Sequence, residues 1–205
     1  KIMSVKPQDK TSEKRISSPR PGHADLAGGM KYLHRDLRDV LERASARETA
    51  MRVAVGSIAS LLLKHFHIES AGYVIAVGDI AISTINRNLK AREIKEKTAG
   101  SLLYCTDAEA EKLMLEKIDR AIKSGDTLGG VFEIVVDGIP PGLGSHVHWD
   151  RRLDCILAGA LMSIPAIKGV EIGLGFEAAA RKGSETHDEL FLDEKGRIAR
   201  ATNRA

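Results

Sequence analysis

Residues 18 to 29 read SPRPGHADLAGG, a run that sets Arg20 and His23 on either side of a Pro-Gly pair. Proline fixes φ and glycine supplies turn geometry, so both side chains are held at reduced entropic cost. An imidazole titrates near neutrality and suits proton transfer. A guanidinium takes carboxylate or phosphate through two parallel bonds. These types at this spacing suit proton handling beside an anion, although read alone a solvated loop histidine is the simpler account. A second group is Arg43, Ser45 and Arg47 in ERASARETA. Four residues apart, Arg43 and Arg47 share a helix face and repel unless an anion is nearby. Against that stands neutralisation by Glu42 and Glu48 on a solvated face, which on spacing alone is the stronger account. His146 and His148, with Asp150 nearby, point the same way from an extended segment, but no third ligand is evident and a plain loop is the preferred reading. His65 and His67 are better placed to complement a helix dipole. The glycines of GDTLGG, GLG and GLGF match neither a dinucleotide nor a Walker pattern.

Several elements must position these groups. Residues 1 to 35, polar and rich in Lys, Ser, Pro and Gly, read as a long loop. Residues 38 to 66 read as one helix without proline, amphipathic at first and then apolar on nearly every side, from Val53 to Leu63. A helix apolar all round must be covered all round, so it is expected at the centre, between other layers. Residues 73 to 82 read as a β-branched strand, and 83 to 100 are ambiguous. Thr106, Asp107, Ala108 and Glu109 read as a capping box opening a helix to about Lys123 that ends at Gly125. Leu113, Met114, Ile118 and Ile122 fall on one of its faces. A second strand follows in VFEIVVDGI, a helix of small residues in RRLDCILAGALMSI, a strand in GVEIGLGF, and a short helix in EAAARKG. Residues 183 to 205 are hairpin-like, with a turn at DEKGR. Helices packed on sheet in layers are the implied architecture.

With 205 residues, 43% hydrophobic and 29% charged, the chain reads as one globular domain, and with 4% aromatics its core must be aliphatic. No apolar run approaches the ~20 residues needed to span a bilayer, so no membrane role is expected. The net charge of +3 fits a small anion as easily as nucleic acid. The basic run KPQDKTSEKR lacks interleaved aromatics, so a nucleic-acid partner has little support. Cys105 and Cys155 are isolated, which is neither a disulfide framework nor a zinc pattern and leads to a reducing, cytoplasmic location. No signal peptide is visible at the start. KIMSVKPQ and RATNRA both read as cut from something longer.

These pieces occur together, in order, as RPGHADL, MKYLHRD, LERASARETAMRVAVGSI, SGDTLGGVFEIVVDGIPPGLGS, ALMSIPAIKGVEIGLGF, GSETHDE and TNRA. They closely resemble the chorismate synthase family over essentially the whole chain, and ERASARETAMRVAVGSI is a specific signature of it. The resemblance implies an α+β fold, a layered sandwich with long central helices between antiparallel β-sheets, assembled as a homotetramer. It implies a lyase that removes phosphate by anti-1,4-elimination from 5-enolpyruvylshikimate 3-phosphate to give chorismate. Reduced FMN is required without net redox change, and NADPH enters only as a flavin reductant. His23 matches the histidine assigned to protonating the reduced flavin. Arg20 and Arg47 match arginines that hold the substrate's anionic groups. Arg43, Ala44 and Ser45 match one flavin-contacting stretch, and Pro165 with Ala166 a second. Relatives often carry Asn or Gln at the position of Pro165, which has neither an amide side chain nor a backbone N–H. Nothing in the family suggests a metal. The family's N-terminal G-E-S-H-G segment and its C-terminal segment are absent from these residues, so the chain resembles the central portion of a longer enzyme. The rival expectation is that these 205 residues alone are an inactive oligomerising core with an incomplete site.

Overall fold

A computed structural model describes residues 15–44, 46–86 and 88–202, with the backbone but not the side chains of residues 46 and 47. The chain forms two compact units, residues 1–57 with 163–167, and residues 58–162 with 168–205.

In the first unit the polar opening stretch is not all loop, because α1 runs from Asp25–Tyr32. Two glycines make a poor helix on propensity, yet both are required by packing. A Cβ on Gly28 would fall 2.6 Å from Val40 Cγ1, and one on Gly29 would fall 2.6 Å from Leu37 Cδ2. Leu37 and Val40 are buried, and Val40 lies in α2, Arg38–Arg43. The glycines therefore let α1 approach α2 more closely than any side chain allows. Asp36 fastens the start of α2, its Oδ1 accepting the backbone N–H groups of Ile16 (3.2 Å) and Arg38 (3.1 Å).

The single helix expected over 38 to 66 is broken. The α2 helix closes at Ala44, whose N–H is shared between the Val40 and Leu41 carbonyls. A separate helix α3 then runs Ala46–His65, starting in the first unit and ending in the second. Nor is α3 covered on all sides. Met51, Val53, Val55, Ile58, Leu61 and Leu62 are each between 61% and 71% exposed. The all-round apolar composition is real, but no layer of the described residues packs around it.

The second unit is built on an antiparallel sheet of order β2-β1-β3. The strand expected over 73 to 82 is a hairpin: β1 spans Glu69–Val77, the chain turns at Gly78 (φ 61°) and Asp79, and β2 is Ile80–Ala81. A left-handed glycine is what reverses the chain there. The sheet is completed by β3, Gly130–Asp137, which pairs with β1 from Glu69↔Asp137 to Val77↔Gly130 with an irregularity between Val74 and Ala76. Just past the Glu69↔Asp137 end of that pair Gly138 is at φ 80°, and a Cβ on it would lie 2.2 Å from the His67 carbonyl oxygen, so the position admits only glycine.

Two helices cover this sheet. The ambiguous stretch holds α4, Ala91–Thr98. Its N-terminus is fastened by Asp137, whose Oδ2 accepts the Ala91 N–H at 2.5 Å. Next comes α5, Ala108–Ser124, capped by Asp107, one residue later than the expected Thr106; its carboxylate accepts the Ala110 N–H, and Gly125 closes the helix in the left-handed conformation. Only Met114 of the four apolar residues expected on one face of α5 is buried in the core, while Leu113 and Ile122 are exposed. Ala71, Tyr73, Ile82, Ala91, Ile94, Cys105, Ala110 and Met114 form the core between sheet and helices. The small-residue helix α6 spans Leu153–Met162.

The strand expected in GVEIGLGF is absent. Gly173 and Gly175 take φ of 61° and 56°, incompatible with a pleated strand, and the segment leads into a short 3₁₀ turn, Gly175–Ala180. The hairpin expected near the end is present after one helical turn, α7 at Gly183–Thr186. It pairs β4, Leu190–Leu192, with β5, Ile198–Arg200.

Candidate functional site

All eight candidate residues belong to the first unit, although Pro165 and Ala166 are far from the others in sequence. Ser45 and the Arg47 side chain lie outside the described residues. The positions fall into two groups.

The first is the loop ahead of α1. The Pro-Gly pair makes the turn expected of it, with Gly22 at φ 72° and the His23 N–H facing the Arg20 carbonyl at 3.4 Å. What locks the loop is Asp25, which sequence reading missed. It is 1% exposed, and its carboxylate accepts three bonds from one residue: the Arg20 backbone N–H (3.1 Å) and Nε–H (2.8 Å) on Oδ2, and Nη2–H (3.0 Å) on Oδ1. The available signal was an Arg and an Asp flanking a Pro-Gly turn, types that meet when the chain reverses. His23 is exposed, and its ring makes no hydrogen bond among the described residues. The hydrogen bond from the Arg20 side chain is the main cause holding the Asp25 carboxyl down at about 2, against an ordinary 3.8, with burial opposing and His23 adding a smaller push in the same direction. The same bond raises Arg20.

A pH dependence follows. The folded value of Asp25 lies below its unfolded one, so its contribution to stability is complete above about pH 4 and is lost as pH falls toward 2. Asp25→Asn should remove that component, leaving a shallower loss of stability over this range in denaturant titrations at stepped pH. Equal slopes for variant and unaltered protein would show that Asp25 carries no such linkage.

The second group surrounds the break between α2 and α3. Arg43 ends α2 and Arg47 lies in the first turn of α3, so the shared helix face expected from their four-residue spacing does not exist. Arg43 is exposed and Ala44 half-buried. Glu48, offered as a neutraliser of those arginines, instead accepts from Arg52 Nε at 2.7 Å, one helical turn along. Arg52 Nη1 reaches across to the Ser163 hydroxyl at 2.8 Å. The first half of α3 thereby holds the segment carrying Pro165 and Ala166. Residues 164–167 form a turn closed by the Ile167 N–H on the Ile164 carbonyl (3.2 Å), with Pro165 second and Ala166 third at φ 70°. That is the type II pattern, where proline is favoured second and a left-handed residue is required third. Glycine is usual there, and an alanine so placed is strained by about 1–2 kcal/mol. Proline at 165 thus has a backbone reason independent of any side-chain contact. The Glu48-to-Arg52 spacing was the signal that could have found this tie.

No hydrogen bond between described residues joins the 20–25 loop to the 163–167 turn. The first group sets a cation fixed by a buried carboxylate beside an exposed imidazole, and the second sets the exposed Arg43 and the Glu48–Arg52 pair among small residues. His148, weighed as a metal ligand, has Nδ1 at 2.6 Å from Asp150 Oδ1, and the described residues contain no cluster of three metal-ligating side chains.

An α+β chain with an arginine-histidine loop and a cationic helix junction is thus a scaffold suited to anions and protons. It belongs to the chorismate synthase family, whose family model matches residues 2–205. Chorismate synthases of Desulforamulus reducens and Brevibacillus brevis are each 52% identical to it, over 100% of this chain and 52% and 53% of their own lengths. A solved structure titled "Crystal Structure of Chorismate Synthase" superposes with a TM-score of 0.83 at 46% identity, covering 88% of this chain and 56% of that one. The chain spans about half the length of the curated relatives it matches. That structural likeness agrees with the α+β class expected from the sequence. No helix among the described residues is long and apolar enough to cross a membrane.

Proposed function

We propose that the protein to which this chain belongs is a lyase converting 5-enolpyruvylshikimate 3-phosphate to chorismate with reduced FMN. The observation that carries the reading is the Arg20–His23 loop, in which a guanidinium anchored by a buried carboxylate sits beside an exposed imidazole. The family match, unbroken over 2–205, supports one domain spanning both units.

The residues present suit the flavin. Arg43 supplies a cation, Ala44 and Ala166 leave space, and Glu48 Oε2 is buried without a hydrogen-bond partner among the described residues, a free acceptor for a hydroxyl or N–H donor. Arg43, Ala44, Ser45, Pro165 and Ala166 would hold it. Reduced FMN supplies an electron-rich ring that favours departure of the phosphate. In the reaction the C–O bond to phosphate breaks and its electron pair leaves with the phosphate, while a ring C–H bond on the opposite face breaks, its electron pair shifts the ring double bonds into a diene, and its proton passes to a basic group of the completed site. Arg20 and Arg47 bind the substrate's anionic groups and stabilise charge as it develops on the leaving phosphate. His23 acts as the general acid–base, passing a proton during turnover. If NADPH takes part, it serves only to reduce the flavin, and the assembly is a homotetramer in the cytoplasm.

The test is anaerobic chorismate formation from the phosphorylated substrate with reduced FMN. The full-length protein is expected to turn over, and absence of product would overturn the reading. A second reading applies to the 205 residues by themselves: an inactive structural core, favoured by the apolar side chains that α3 leaves exposed. It predicts no FMN binding and no turnover by this chain alone.

A further inference from the structure

We infer that Asp25 is a positioning residue for the anion site: it occupies the Nε–Nη2 edge of Arg20, so the guanidinium meets an anion through its other edge, Nη1–Nη2. The inference rests on the functional reading above and extends it to a residue with no role there. A guanidinium has five N–H donors in a rigid plane. Two of them, together with the Arg20 backbone N–H, are committed to one carboxylate at 2.8–3.1 Å. The backbone bond matters, because it fixes the arginine's root and its head to the same anchor. Asp25 can serve as an anchor because it is 1% exposed at the start of α1, which Gly28 and Gly29 seat against Leu37 and Val40. Arg20 keeps 42% of its side chain exposed, and its Nη1 makes no hydrogen bond among the described residues.

Two effects of Asp25 on an anion have opposite signs. As a bare negative charge it repels phosphate and partly cancels Arg20. As an anchor it removes the rotamer entropy that Arg20 would otherwise lose on binding. The geometry favours the anchor. Three bonds fix Arg20, while an anion on the adjacent Nη1–Nη2 edge lies nearer to the guanidinium than to the carboxylate.

The test is a double-mutant cycle in the full-length protein, reading inorganic phosphate affinity by calorimetry and KM and kcat for the phosphorylated substrate. Asp25→Asn keeps the shape and removes the charge. It should weaken phosphate about tenfold and raise KM by a similar factor, with kcat changed far less. In an Arg20→Ala background the same substitution should have no further effect. Phosphate bound as tightly or more tightly by Asp25→Asn would overturn the inference, as would an undiminished penalty in the Arg20→Ala background or no phosphate binding by the unaltered protein. If Asp25→Asn does not fold, Arg20→Lys decides, since lysine keeps the charge but cannot make the two-bond contact. Loss as large as that of Arg20→Ala supports anchoring, and unaltered affinity overturns it. Intact phosphate coupling without any turnover by the unaltered protein would overturn the functional reading alone.

Discussion

Replacing His23 with alanine should slow turnover of the full-length protein by ~10²–10⁴-fold, the range for loss of a positioned proton-transfer group, while leaving its melting temperature unchanged. The two halves of this expectation come from different observations. The ring is exposed and makes no hydrogen bond among the described residues, so its removal leaves no cavity and no stranded partner. The loop's shape is set by Gly22 and by the Asp25–Arg20 bonds, and the His23 contribution to it is a backbone N–H that alanine retains. The loss should therefore be chemical. It should appear in kcat, with phosphate affinity near that of the unaltered protein because Arg20 keeps its anchor. Normal turnover in His23→Ala would remove the residue from the mechanism. A collapse of stability would mean that the ring packs rather than reacts.

Ile94→Ala should cost about 2–5 kcal/mol of stability in denaturant unfolding, typical of a large side chain removed from a packed core. Between Ala91 and Thr98, α4 is mostly Arg, Glu and Lys, so its apolar anchoring is thin. Ala91, Ile94 and Thr98 are its buried residues, spaced three and four apart along one face. Ile94, at 0% exposure, is the largest of the three, and it packs in the cluster with Tyr73, Cys105 and Met114. Thr98 cannot replace it, because its hydroxyl is already bonded to the Ile94 carbonyl at 2.8 Å. Leu102→Ala is the matched control. Leu102 is 78% exposed, and its truncation should change stability by no more than about 0.5 kcal/mol. Equal effects at the two positions would place the core elsewhere.

Much of the second unit was legible in advance because local chemistry decides it. The glycine at 125 and a carboxylate near 107 bound α5 whatever lies around it, and the β-branched run before Asp137 pairs as a strand. The Pro-Gly turn at 21 and 22 likewise gave the right conformation and the right pair of side chains to watch. In each case the deciding interaction reaches no more than a few residues along the chain. The errors share the opposite property. At 169–176 a strand composition was overruled by two left-handed glycines. The predicted helix from 38 to 66 parted at Ala44, which separated Arg43 from Arg47 and removed the face they were to share. The Gly-Gly pair of α1 looked like a loop because its purpose, close approach to Leu37 and Val40, depends on a partner that composition does not name.

Local sequence carries the chemical types: an imidazole and a guanidinium on a rigid turn, further arginines around a helix start, and a family signature running through both. Tertiary structure alone decided what holds them. Burial turned Asp25 from a polar residue after a turn into the anchor of Arg20, and a bond from Arg52 to Ser163 ties the segment carrying the Pro165–Ala166 turn to the first half of α3. The physical reason is range. Turn and cap preferences are written in neighbouring residues, whereas burial and the bonds it strengthens depend on which distant segments share the same space.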